Sequence, residues 1–315
     1  MLEKQIVART DNSSKQTLTT WYAFWQNPIV YKELRGRMRG WRAFIILTAY
    51  LSIISIVIGG VVGIFAINRN SLGSIANRTI MGRVVFGSIT AMELLMISVT
   101  APALMAGSIS NEKERQTYDL LRSTPLSPGV LITGKMISVL GFVYLLLFTT
   151  LPLHSLTILI GGVTYQEILL ANLVLLVTAF TYCSIGVFFS SIFPHTSVAT
   201  ISTYVVSLLN LIGIPIGLLG LLYYFQVSVS QLDAIQMGIV LSVGWLFVAI
   251  NPIASVVVTE IMMIQYQSVS IASLPLQGGV VFPVLSPWIG FVTTSALFSA
   301  VLLFICIRYV INRNT

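Results

Sequence analysis

The chain has 315 residues, 56% of them apolar and 9% charged, with a mean hydropathy of +0.91 and a net charge of +7. Soluble domains carry about a quarter charged residues, so a fold with a water-facing surface all round is excluded. Met136 to Ile307 contains no Lys or Arg and only Glu167, Asp233 and Glu260 as acids, which places most of the chain in lipid.

Residues 1–26 are polar, rich in Thr and Ser, and read as a flexible cytosolic N-terminus. They hold no apolar core followed by a small-residue cleavage site, so the first span is expected to act as an uncleaved insertion signal. In 27–42, taken as a helix, Val30, Leu34, Met38 and Trp41 form one apolar stripe, with Lys32, Arg35 and Arg39 on its flanks and Pro28 suited to the first turn. A basic amphipathic helix beside a span lies in the headgroup plane; the alternative is a plain positive anchor. Eight of the seventeen basic residues precede the first span, a pattern that calls for anionic lipid headgroups and a cytosolic partner and argues against nucleic acid.

A helix needs roughly 20 apolar residues to cross a bilayer, and six stretches qualify: 43–67, 84–108, 130–160, 168–193, 198–225 (with a kink expected at Pro215) and 288–310. The expected fold is an all-α polytopic membrane protein of six transmembrane helices, with 43–315 forming one transmembrane domain. Loop charge puts the N-terminus, the loop 109–129 and the C-terminus in the cytosol, although Arg69, Arg78 and Arg83 after the first span weaken the contrast. The region 234–264 holds two short apolar runs broken at Asn251-Pro252. Such lengths suit a re-entrant helical hairpin; one further span across 239–262 would push the C-terminus outside.

Within the loop, Asn111 to Arg122 is expected to be a short helix capped by Asn111 and ended before Pro125. Its Glu112, Glu114, Arg115, Asp119 and Arg122 suit a docking surface, while a merely solvated helix is the alternative. Glu93 falls in the middle of the second span, where an ionisable group usually faces a bundle interior or an aqueous path; it is either a substrate or proton site or a partnered carboxyl that holds helices together. His154 is expected to serve in packing. Cys183 and Cys306 read as buried hydrophobes, and Gly59-x-x-x-Gly63 and Gly213-x-x-x-Gly217 would allow close helix approach. Gly129 to Lys135 imitates a phosphate-binding loop, but Met136 stands where Ser or Thr is needed and no buried strand precedes it, so Lys135 reads as an interface anchor. Neither a metal cluster nor a nucleophile–base pair is evident.

Two segments resemble one family. Asn27-Pro28 through Lys32-Glu33-Leu34-Arg35, Arg37 and Arg39 resembles the opening of ATP-binding-cassette (ABC) transporter permeases of the type-2 exporter class. Glu112-Lys-Glu114-Arg115-Gln-Thr117-Tyr-Asp119-Leu120-Leu121, followed by Ser123-Thr124-Pro125-Leu126-Ser127, is similar to that family's loop between spans two and three. The resemblance implies that 27–42 is an interface helix against an ATPase, with Lys32, Glu33, Arg35, Arg37 and Arg39 in the contact. It makes 111–122 the coupling helix, and it implies a second permease subunit across a translocation path. ATP and Mg would be held by a separate cytosolic ABC ATPase subunit, with no cofactor on this chain and no catalysis by it. The stretch 265–287 matches nothing in that pattern.

Overall fold

A computed structural model describes residues 28–38, 41–67, 75–117, 128–217, 220, 223, 234–275 and 281–312. Among them are ten helices and one β-hairpin. Helix α1 (Pro28–Met38) leads into α2 (Trp41–Ile67), α3 (Ile75–Ala106) and the short α4 (Ser110–Glu114). Next come α5 (Pro128–Ile160), α6 (Tyr165–Ile192) and α7 (Thr196–Leu208), which continues through a π-helical turn at Leu209–Gly213. Helices α8 (Ala234–Ile250) and α9 (Pro252–Tyr266) precede β1 (Ile271–Pro275) and β2 (Val281–Leu285), and α10 (Pro287–Asn312) closes the fold.

Six helices are long and apolar enough to cross a membrane: those within α2, α3–α4, α5, α6, α7 and α10. The α8–α9 pair bends by 119° at Asn251, so the expected interruption at Asn251-Pro252 is where the chain turns. The second membrane helix starts at Ile75, about nine residues before its expected start, because Arg78 and Arg83 sit on its first turns instead of in a loop. Long basic stems reach an interface from inside a helix without ending it. The 265–287 stretch contains the antiparallel β1–β2 pair, with Ile271 opposite Leu285.

Helices α3, α5 and α6 form the centre. Ile97 and Met105 of α3, Ile109 at the start of α4, Ile132 and Val139 of α5, and Leu175 and Tyr182 of α6 share one buried cluster. Helix α2 adds little beyond Tyr50 and Ile54, which pack on Val85, Ile89 and Phe142, and its remaining apolar surface faces outward, as it can in lipid. The close approaches are made by glycines other than the paired ones singled out above. A Cβ at Gly59, Gly63 or Gly217 would meet nothing, and one at Gly213 would meet only Leu209 of its own helix. At Gly186 a Cβ would lie 2.9 Å from Met105, and at Gly290 it would lie 2.7 Å from the Trp245 ring. The α5–α6 turn uses Gly161 and Gly162 at φ +106° and +94°, a conformation glycine adopts freely. Thr164 and Glu167 then start α6 with a reciprocal capping box.

The interruption of α7 has a local chemical cause. Pro215 has no N–H to give the Leu211 carbonyl one turn back. Asn251, at the tip of the α8–α9 hairpin, donates through Nδ2 to the carbonyls of Leu211 (3.1 Å) and Asn210. Asn210 returns a bond to the Ile250 carbonyl at the end of α8 (3.2 Å), and the Asn251 Oδ1 caps α9 through Ala254 N (2.9 Å). In a medium without water each of these backbone groups needs a partner inside the protein. The hairpin tip and the π turn satisfy one another.

Candidate functional site

The polar residues converge at the end of the bundle where α1, α4 and the start of α5 lie, here termed the basic end. Helix α4 turns off α3 after Ala106, and both Ile109 N and Ser110 N donate to Ser190 Oγ of α6 (2.8 and 2.9 Å). Three consecutive side chains of α4 then reach three different helices. Glu112 accepts from Lys135 Nζ of α5 at 2.6 Å. Lys113 donates to the Ser190 carbonyl (3.4 Å) and to that of Ser191; these belong to the last turn of α6, whose carbonyls have no partners within the helix. Glu114 accepts from the backbone N–H (3.2 Å) and hydroxyl of Thr196, the first residue of α7. The signs suit the ends they meet, a cation at a helix C-terminus and an anion at an N-terminus. The Thr196 hydroxyl and N–H together hold the exposed Glu114 carboxyl below its usual range.

A turn closes α4. Gln116 adopts a left-handed conformation (φ 56°), with Gln116 N bonded to Lys113 O and Thr117 N to Glu112 O, the two bonds of a Schellman turn. The helix expected to run to Arg122 therefore closes at Glu114, and the stop is this turn and not Pro125. Asn111 is not the cap, since Ile109 holds that position; its Oδ1 accepts from Arg115 Nε at 3.1 Å on the exposed face. Asp119 and Arg122 lie outside the described residues.

Lys135 is the correction of largest consequence here. Expected to anchor in headgroups, it is 3% exposed and lies between Glu112 and Glu33 of α1 (3.8 Å), with a further bond to the Ser108 carbonyl. Helix α1 packs across α5, Leu34 reaching within 3.3 Å of where a Cβ on Gly141 would stand. On its outer face Arg35 bonds the Tyr31 hydroxyl (3.1 Å) and lies over that ring, beside the exposed Lys32. The side chain of Arg37 and the whole of Arg39 lie outside the described residues.

A second polar group joins α3 to α5 deeper in the bundle. Glu93 of α3 and His154 of α5 are both 0% exposed. His154 Nε2 is 3.1 Å from each Glu93 oxygen, and the Thr150 hydroxyl donates to one of them. Phe86 tilts against the imidazole at 5.6 Å. Glu93 and Glu112 are nineteen residues apart, and so are Lys135 and His154. Helix α5 is thus tied at two levels, to α4 through Lys135 and to α3 through His154, about 28 Å apart along its axis at 1.5 Å per residue.

Against this geometry a family model described as "ABC-2 family transporter protein" matches residues 27–302. The chain belongs to the ABC-2 transporter family. It is a multi-pass membrane permease of a family that partners with an ABC ATPase, and no curated protein matches the chain. The match spans α1 through most of α10, so the α4 hub and the Glu93–His154 pair both lie inside the family domain of this permease. The residue missed from sequence is Lys113, which is as central to the hub as Glu112 and Glu114. Its signal was available in the alternating signs of Glu112-Lys113-Glu114, a pattern suited to partners of alternating polarity.

Proposed function

We propose that the permease is the membrane-spanning subunit of an ATP-driven exporter, and that its basic end faces the cytosol. Helix α4 is the coupling helix: a partner ATPase presses on it, and the Glu112, Lys113 and Glu114 attachments distribute that movement to α5, α6 and α7. Three adjacent residues on three helices is the observation that carries this proposal. Arg115 and Asn111, exposed on the other side of α4, form the surface the ATPase meets, flanked by Lys32 and Arg35 of α1. Asp119 and Arg122 extend that contact. ATP and Mg stay on the ATPase, and a second permease subunit faces this one across the path. The scarcity of charge inside the spans favours an apolar or amphiphilic cargo. Glu93 bears on the path through the α3–α5 contact it holds closed with His154.

The test separates reception from distribution. The permease, reconstituted in liposomes with its ATPase, is compared with Arg115→Glu and Lys113→Met. Arg115→Glu is expected to weaken association of the two subunits, whereas Lys113→Met should keep association and ATP hydrolysis but lose cargo movement. Normal transport by both variants would overturn the assignment of α4.

A further inference from the structure

A cavity of about 310 Å³ lies between α6, the π turn of α7, the hairpin tip and the first turns of α10. Small-molecule sites start at roughly this volume and are mostly apolar, with a few convergent polar groups. Its deep wall is built from Ile185 of α6 and Phe291 of α10, both buried. Its rim is Val206, Ile250 and Phe298, all exposed on the outside of the bundle. An apolar, outward-opening rim admits an occupant from the bilayer.

Polar side chains line the cavity from α6 (Thr178, Thr181, Tyr182), the π turn (Asn210) and α10 (Thr294, Ser295), and the Thr181 and Thr294 hydroxyls donate to the carbonyls of Val177 and Ala249. Tyr182 gives its hydroxyl hydrogen to Asn210 Oδ1 (3.3 Å), which leaves the phenol oxygen as an acceptor. Asn210 uses one N–H on the Ile250 carbonyl, which leaves the second as a donor. Thr178, also on the wall, has already spent its hydrogen on the Val174 carbonyl and keeps acceptor capacity. None of the described lining residues is charged, so an ionised head group would enter without a counter-charge, at high cost. A hydroxyl, both donor and acceptor, matches what remains.

We infer that this cavity binds a neutral, single-chain amphiphile that ends in a hydroxyl, its chain between α6 and α10 and its hydroxyl on Tyr182 and Asn210. The site stands whatever the cargo or the direction of transport, and α7 contributes to it at the π-helical turn, a distortion often found where helices serve a function.

The test uses the full chain in lipid nanodiscs with three photoprobes of equal length: a diazirine-bearing fatty alcohol, the matching hydrocarbon and the matching fatty acid. Mass spectrometry after irradiation should find the alcohol on 178–185 and 291–298 about fivefold above the hydrocarbon, the worth of one net hydrogen bond. Unlabelled dodecanol should displace it there and not at Leu169 or Val301, which are exposed elsewhere on the same helices. Tyr182→Phe, which keeps the volume, should bring alcohol and hydrocarbon close to parity. Equal labelling by alcohol and hydrocarbon in the unaltered chain, or no competition, would show bulk lipid contact only and overturn the site. Stronger labelling by the acid would overturn its neutrality.

Discussion

At the scale of single residues, two groups at the basic end make separable predictions. Lys135 neutralises Glu112 and Glu33 from a buried position, and removing one partner of such a group leaves charge without compensation. Because both carboxylates are partly exposed, Lys135→Met should cost about 2 kcal/mol and not the full buried-pair penalty. Thermal melting in detergent, with Glu112→Gln closing a double-mutant cycle, measures it; additive losses would mean that the two side chains do not communicate. Glu114 is held below its usual carboxylate range by Thr196. A group whose folded value is depressed contributes stability above its unfolded value, and that contribution fades as pH falls through the folded value. The Glu114–Thr196 tie is therefore intact at neutral pH and released only in acid. Carbon-13 NMR of the glutamate carboxyls should show Glu114 titrating below the others, and Thr196→Val, which keeps the backbone N–H but removes the hydroxyl, should move it part of the way back toward the ordinary range.

At the scale of helices and hairpins, α5 is fastened at two levels, to α4 through Lys135 and to α3 through His154. His154→Leu would bury the Glu93 carboxyl with only the Thr150 hydroxyl as partner, a loss of about 3 kcal/mol, whereas Glu93→Leu with His154→Leu should recover most of it. Melting of the single and double variants decides this, and a double variant no better than the single one would refute the clasp. Much of this level was legible in the chain and some was not. Six apolar runs of spanning length marked the six membrane helices, since the bilayer sets their length whatever they pack against. Arg78 and Arg83 hid the start of α3, because charge at a helix end looks like loop charge until the helix is seen to continue beneath it. The Glu93–His154 pair was also hidden: each looks like an isolated anomaly in its own span. Only the equal nineteen-residue offsets to Glu112 and Lys135 connect them, and those need the knowledge that α3 and α5 are antiparallel neighbours. The family wording marked Glu112, Glu114 and Arg115 as coupling residues, but helix-end chemistry was needed to bring in Lys113.

At the scale of the whole molecule, the crossings assign sides. Residues 111–117, the start of α7 and the end of α10 share one end, and the Gly161–Thr164 turn lies at the other. Cysteines introduced at Arg115 and at Thr164 should therefore react with a membrane-impermeant maleimide from opposite sides of sealed vesicles; labelling from one side would break the six-crossing arrangement. The pairing of Asn251 with the π turn of α7 has a consequence in time. The ribosome delivers Leu211 and Pro215 long before Asn251, so during synthesis a carbonyl of α7 waits in the membrane without its donor. A nascent chain halted between residues 217 and 251 carries that polar defect on an otherwise greasy helix, and the arrival of one side amide removes it. Arrival of the α8–α9 hairpin is then registered chemically by a single asparagine, before the last helix has emerged.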